Sequence, residues 1–443
     1  MIRLGRIACF LLGMGLTNLL VLGACFPVRT STVLLAYGIL TVWFLLFNIM
    51  PLWRKGNFTR LGVMLGGEVL ITVAILSFIP NLILTVWIGI RMILPIGLYI
   101  LHIILWVILT AVLLINGCMR IFATSVQLGI KWRILLFFFW WFPLLNCYLL
   151  WKVCRIVRDE YVVEMEKAAL NAIRQSTEIC QTKYPIVLVH GVFFRDRKFF
   201  NYWGRIPGEL IRNGATVFYG QQQSAASHET AGLELRDRII QIVQQTGCGK
   251  VNIIAHSKGG LESRCAISRM GLAPYVASLT TINTPHHGCA FADWLLKRIP
   301  KGISSFIAKR YNGALRKLGD GSPDFMAAVC DLTKERCEAF NQITPDAPGI
   351  LYQSVGSRMK GWTSAPFPQN LSYLFVKQFH RENDGLVGVD AMKWGDSFRM
   401  LTTSGRRGIS HGDMIDLNRQ NFHGFDVREF YVELAGDLKQ RGY

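Results

Sequence analysis

The chain has 443 residues, 51% of them hydrophobic, and a formal net charge of +19. Its length admits two or three domains. So basic a chain ordinarily meets nucleic acid, anionic lipid or the cytoplasmic flanks of membrane segments. No nucleic-acid module and no aromatic-basic strand pattern is present, so nucleic acid is excluded as a partner.

Composition breaks sharply along the chain. From Ile7 to about Trp151 it is mostly apolar, and from about Arg155 it reads as a soluble protein of mixed charge. A spanning helix needs roughly 20 apolar residues. Five segments qualify: Ile7–Phe26, Val33–Trp53, Leu61–Phe78, Ile93–Ile115 and Ile134–Trp151. The third can continue past Pro80 and Asn81 toward Ile90, as a broken or re-entrant piece or a sixth span. The first follows Arg3 and Arg6, but its apolar run is too long for a signal peptide and further spans follow at once. Tryptophans such as Trp43, Trp53, Trp132 and Trp151 lie near segment ends, as aromatic belts do.

With the N-terminus inside, the inner flanks carry Arg3, Arg6, Arg54, Lys55, Arg60, Arg120, Lys131 and Arg133, and the outer flanks Arg29 and Arg91. The expectation is an integral, multi-pass membrane protein. Five crossings would leave the C-terminal part on the extracytoplasmic side, although Lys152, Arg155 and Arg158 count against that side. Glu68 and His102 fall within apolar runs. Ionisable groups at such depth are costly. Two isolated groups do not make a transport path, so Glu68 is expected near a helix end, facing water or a partner helix.

Three regions are therefore expected: a multi-span region over 1–154, a helical linker over 155–180 and a soluble domain over 181–443. The linker contains Asp159-Glu160 and Glu164-Met-Glu-Lys-Ala-Ala-Leu170. Of the 11 cysteines, those from Cys180 onward form no CxxC or Cys/His metal spacing, and disulfides are permitted but not required.

In the soluble domain, Ile186–Val189 reads as a buried parallel strand running into His190-Gly191. A glycine turn there can aim a backbone N–H into a cleft, as a developing oxyanion requires. A second strand, from Val251, enters Ala255-His-Ser257-Lys-Gly259, followed by a predicted helix over Leu261–Met270. This is a small-x-Ser-x-small elbow with alanine at its first small position. The serine occupies a strained turn, so its neighbours two residues away must be small, and the following helix contributes N–H donors. Val276–Ile282 is the next predicted strand, ending in Asn283-Thr-Pro-His286-His287-Gly288. Tyr373–Lys377 is read as the strand that precedes the acid, Asp384, in Asn383-Asp-Gly-Leu-Val387. His411 follows in Ser410-His-Gly-Asp413, and the last predicted helix is Asp426–Leu438.

The order Ser257, Asp384, His411 suits nucleophile, orienting acid and base. His423 also follows the acid but lies beside the last helix, and His380 precedes the acid. His190, His256, His286 and His287 flank turns and are expected to be structural.

The motifs YPIVLVHG, AHSKGG, INTPHHG, NDGLVG and SHGD, in this order over about 183–435, together resemble the bacterial true lipases, triacylglycerol lipases typified by pseudomonad and Burkholderia enzymes. The resemblance implies an α/β-hydrolase fold after the α-helical membrane region, with a mostly parallel sheet flanked by helices. It implies an oxyanion hole from the amides of Val192 and Lys258, and a helical lid over about 291–350. Within that interval Ala292–Ile299 and Ile303–Leu318 mix apolar and basic residues in the manner of an amphipathic surface. Lipases of this kind often hold calcium near the histidine loop. Asp413 is its one candidate ligand, and 360–379 supplies no second carboxylate.

The chemistry itself calls for no cofactor. The expected partners are a lipid ester and the bilayer, and no protein partner is indicated. The expectation is thus a membrane-anchored serine ester hydrolase. One alternative is a phospholipase or acyltransferase using the same acyl-enzyme; another is a membrane scaffold with an unused hydrolase domain.

Overall fold

Four helices open the chain: α1 (Ile2–Cys25), α2 (Thr30–Ile49), α3 (Arg60–Arg91) and α4 (Ile96–Thr124). The structure, a computed structural model, describes residues 2–26, 29–52, 59–192, 201–298, 301–317, 321 and 323–443. Trp53, Arg54, Lys55, Ile299 and Leu318, named above, lie outside them. Among the described residues these four helices are the ones long and apolar enough to cross a membrane. The chain divides into two units, Met1–Ala169 and Leu170–Tyr443.

Two sequence expectations are refined in the first unit. The third apolar segment does continue past Pro80 and Asn81, but as one unbroken helix, α3, rather than as a broken or re-entrant piece or a sixth span. Proline removes the backbone donor to Leu76 O, and in the next position Asn81 Nδ2 donates to Ser77 O (2.9 Å). The fifth segment, Ile134–Trp151, is not one helix. It is divided between α5 (Ile130–Phe138) and α6 (Pro143–Arg174), and Pro143 opens the second. α6 continues through most of the stretch expected as a linker.

Glu68 is fully buried, paired with Arg6 of α1 and Arg158 of α6, and Thr72 Oγ donates to it. His102 is enclosed between the Thr85 hydroxyl and Thr17 O, both at 3.1 Å. Both groups therefore face partner helices, because a buried ionisable group needs a partner.

The second unit is a six-stranded sheet with helices on both faces. Its elements are β1 (Ile186–Val189), α7 (Ile206–Arg212), β2 (Val217–Tyr219), α8 (His228–Thr246), β3 (Val251–His256), α9 (Lys258–Arg269) and β4 (Val276–Ile282). Four helices are then inserted: α10 (Ala290–Arg298), α11 (Lys301–Lys317), α12 (Phe325–Cys330) and α13 (Lys334–Ile343). The chain ends with β5 (Leu351–Ser357), α14 (Gln369–Val376), β6 (Ser397–Leu401) and α15 (Val427–Gln440). All pairs are parallel, in the order β2-β1-β3-β4-β5-β6.

Side-chain alternation along the strands feeds two apolar layers. Ile186, Leu188 and Ile254 pack with Trp203, Leu210, Tyr431 and Leu434, on the face of α7 and α15. Val187, Val189, Ile253 and Ala255 pack with Leu235, Ile239 and Ile267, on the face of α8 and α9. The chain leaves β1 toward β2 and then returns across it to β3. Such a reversal opens a crevice at the carboxyl ends of the strands.

Tyr373–Lys377 is not a strand. It belongs to α14, in which Tyr373 and Val376, three residues apart, are buried while Leu374 and Phe375 are exposed. A short apolar run does not distinguish the two periodicities. The strand upstream of the acid is β5.

Candidate active site

The register pairs Val189 with Ala255, so the ends of β1 and β3 lie side by side in the crevice. Ser257 follows β3 at φ 56° and ψ −130°, a backbone region that costs a non-glycine residue about 1–3 kcal/mol. Its surroundings hold it there. Ser257 N donates to Ile282 O (2.9 Å), and Thr284 Oγ donates to Ser257 O (2.8 Å). The small residues are steric necessities. A Cβ on Gly259 would sit 2.4 Å from His190 O, and one on Gly191 would sit 2.8 Å from Ser257 Cβ. Ala255 is fully buried between its neighbours, which explains why alanine serves at the first small position.

Asp384 lies in a loop after α14, closed by a bridge between Asn383 and Gly388. Its Oδ1 accepts from Leu386 N (2.9 Å) and Val387 N (2.8 Å). Its Oδ2 accepts from Asn283 Nδ2 (2.6 Å) and lies 2.6 Å from His411 Nδ1. His411 N donates to Asp384 O (2.8 Å), so the two loops are also joined through their backbones. With Nδ1 on the carboxylate, the ring presents Nε2 for proton transfer.

The His411 ring packs 4.4 Å, centre to centre, from that of His256, the residue just before Ser257. Burial holds His256 well below its ordinary pKa, and the neighbouring His411 adds to this. His256 is therefore neutral, and its Nδ1 lies 2.7 Å from the Tyr202 hydroxyl.

Val192 is buried three residues past the end of β1, and Lys258 opens α9. A helix's first N–H groups lack partners within the helix, which suits them to an oxyanion. The Lys258 side chain is also fully buried. Its Nζ donates to Glu262 Oε1 (2.6 Å), while Gln222 Nε2 donates to Glu262 Oε2 (3.0 Å) and to His190 O (2.9 Å). This network ties the first turn of α9 to the end of β1. The sequence offered a weak signal for it: lysine and glutamate four residues apart on a helix.

The rival histidines go elsewhere. His423 is exposed. His380 packs against Gly388. His286 is buried, held far below its ordinary pKa by burial and by nearby Arg264, and stacks on Trp394. His190, fully buried, lies 3.0 Å through Nε2 from Gln222 O.

Asp413 does not fit a calcium site. Its Oδ1 accepts from Arg407 Nη2 (2.6 Å), and its Oδ2 accepts from Ser410 N (2.9 Å) and Ser410 Oγ (2.8 Å). A guanidinium already neutralises the carboxylate. Among the described residues no group of three His, Cys, Asp or Glu could hold a metal.

Tyr202, Gln222 and Arg407 were not singled out from the sequence, because none belongs to a short motif. Asn283 was read only as the first residue of its turn, and its bond to Asp384 comes from the fold.

The DUF676 serine esterase family matches residues 208–341. The chain is 33% identical over 291 residues to a triacylglycerol lipase of Vibrio cholerae, covering 59% of this chain and 89% of that protein. It is 30% identical over 295 residues to a triacylglycerol lipase of Pseudomonas fragi, covering 59% and 98% respectively. Among solved structures, a mature Bacillus licheniformis lipase aligns at 23% identity and a TM-score of 0.41, over 54% of this chain and 88% of that one.

Proposed function

The chain belongs to the triacylglycerol lipase family, and from that premise we propose that it is a membrane-anchored lipase working through Ser257, His411 and Asp384. One observation carries this reading: the strained Ser257 turn and the Asp384–His411 pair converge through the contact of His411 with His256.

Ser257 Oγ attacks the acyl carbonyl of a lipid ester and passes its proton to His411 Nε2. The oxyanion rests between the amides of Val192 and Lys258. Collapse expels the alkoxide, which takes the proton from His411, and the acyl group remains on Ser257. Water, deprotonated by His411, then attacks the acyl-enzyme; collapse breaks the bond to Ser257 Oγ, which takes the proton back from His411 as the fatty acid leaves. Asp384 fixes the histidine tautomer and stabilises the imidazolium. No step needs a metal. Because Arg407 neutralises Asp413, chelation is expected to leave the rate unchanged.

The apolar helices α1–α4 serve as the anchor and hold the enzyme at its substrate. They take no part in the chemical step. The helices α10–α13 form a lid over the crevice. The carboxyl ends of the strands, Ser257 and both loops all belong to Leu170–Tyr443, so that unit is expected to hydrolyse soluble esters by itself.

The test uses the full-length protein in detergent. A fluorophosphonate probe is expected to label the wild type and not Ser257→Ala, and long-chain triacylglycerol to be cleaved only by the wild type. Undiminished labelling of Ser257→Ala would sink the assignment of the nucleophile. Labelling without triacylglycerol cleavage would leave the nucleophile standing and remove the lipid.

A further inference from the structure

The segment around α5 has no part in the proposed chemistry, and it is too short to be a fifth crossing. α5 has 9 residues, about 13 Å of helix, against a hydrocarbon core of roughly 30 Å. The return limb, from Pro143 to Lys152 of α6, has much the same length.

Both feet stand at one level. Lys152 Nζ lies 6.0 Å from the Trp132 ring centre, and Lys131 Nζ lies 5.5 Å from the same ring. Two turns beyond Lys152, Glu160 accepts from Ser125 Oγ (2.6 Å), Val126 N and Gln127 N (both 3.1 Å), in the turn that leads into α5. Glu160 also accepts from Arg60 Nη1 (2.7 Å), and Arg60 Nη1 donates to Thr124 O (2.8 Å). The start of α3, the end of α4, the turn before α5 and this part of α6 thus form one layer.

The far end of the limbs is apolar and uncovered within the unit. Phe137 is 73%, Trp140 71% and Leu144 89% exposed. The bend between the limbs nevertheless satisfies backbone oxygens from within. Trp141 Nε1 donates to Phe138 O and Asn146 Nδ2 donates to Trp140 O (both 3.0 Å), and Phe142 N donates to Phe139 O (3.1 Å). Water would meet those oxygens at an ordinary loop, whereas hydrocarbon leaves the work to the protein.

We propose that α5 and the first turns of α6 form a half-depth hairpin, whose aromatic tip enters the acyl layer of one leaflet and returns to the side it came from. The proposal rests on the reading of α1–α4 as membrane spans. The occupant of the exposed tip is lipid acyl chain, because the limbs match one leaflet and the feet carry the lysine and tryptophan of an interface.

Its consequence is topological. Four crossings and a returning hairpin place the N-terminal flank, the α2–α3 connection and everything after Lys152 on one side. By sequence that side holds nearly all of the flanking positive charge, including Arg60, Lys131, Arg133, Lys152, Arg155 and Arg158, while the other side has Arg29 and Arg91. The positive-inside bias makes the first side cytoplasmic. The hydrolase unit then stands in the cytoplasm, not outside as five crossings implied. Lys152, Arg155 and Arg158, which counted against that earlier expectation, now lie on the favoured side.

The experiment uses the full chain with a cleavable epitope at each end, in right-side-out and inverted membrane vesicles. Both tags are expected to resist protease in the former and to be cleaved in the latter. Tags cleaved from opposite sides would mean an odd number of crossings and overturn the hairpin. Tags both cleaved in right-side-out vesicles would overturn the cytoplasmic assignment. A carbonate wash separates failure of the premise: a chain released by carbonate is not spanning at all, and the membrane reading falls with the hairpin.

Discussion

In the Met1–Ala169 unit Leu34, Ile83 and Phe137 face outward while Glu68 and His102 are enclosed; in the Leu170–Tyr443 unit Val187, Ile253 and Ile254 are enclosed. The two units solve opposite problems of solvation. On the membrane reading proposed above, the helices satisfy their backbones internally and leave apolar side chains for lipid, so the groups that most need protein partners are ionisable. The sheet hides apolar strands from water, and the polar groups inside it cluster at the strand ends, where Lys258, Glu262, Gln222, Asn283 and Asp384 bind one another or their neighbours. A buried charge thus holds helices together in one unit and organises the candidate active site in the other.

The largest effects are expected at the strand ends of the second unit. His411→Ala and Asp384→Asn should each lower kcat by about 10³–10⁴-fold or more, on the scale of other serine hydrolases, while His423→Ala stays near wild type. Steady-state kinetics on a p-nitrophenyl ester decides this, and an active His411→Ala would reassign the base.

Lys258→Met strands Glu262 in the interior and is expected to destabilise the unit by about 3–5 kcal/mol. The double variant Lys258→Met/Glu262→Leu, which buries no charge, should regain most of that. Urea melts of the two would reverse the argument if the double variant were no more stable than the single.

Acid supplies a third contrast. Burial holds His228, His256 and His286, all in the second unit, well below the ordinary histidine value near 6.5. The unfolded chain takes up these protons as pH falls through about 6.5, and the folded chain does not. Their contribution to stability is therefore complete above about 6.5 and is lost progressively below it, by up to about 1.4 kcal/mol per pH unit for each histidine. Chemical denaturation at pH 7 and pH 5 should show the fall, and a flat profile would refute it.

The smallest effect on catalysis is expected from the other unit. Glu68→Gln leaves Arg6 and Arg158 without their shared carboxylate and should lower the melting temperature of the detergent-solubilised chain. Soluble-ester kcat should change less than about twofold if, as proposed, the helices take no part in the step. A tenfold loss of kcat in a folded Glu68→Gln protein would mean that the helical unit shapes the active site.

The sequence alone determined what depends on neighbours along the chain. Runs of about 20 apolar residues marked the four long apolar helices, and β1, β4 and the serine elbow were legible because a buried parallel strand and its tight turn are local patterns. The order of Ser257, Asp384 and His411 was likewise readable. Tertiary structure decided whatever depends on groups far apart in sequence. Tyr373–Lys377 became helix because its neighbours bury every third or fourth side chain, not every second. Asn283 reached Asp384 across 101 residues, and Gln222 reached Glu262 across 40. Ile134–Trp151 had the composition of a span, but Pro143 and the contact of Lys152 with Trp132 folded it back on itself. Composition measures how apolar a segment is, whereas the direction it takes is set by polar partners that only the folded chain brings within reach.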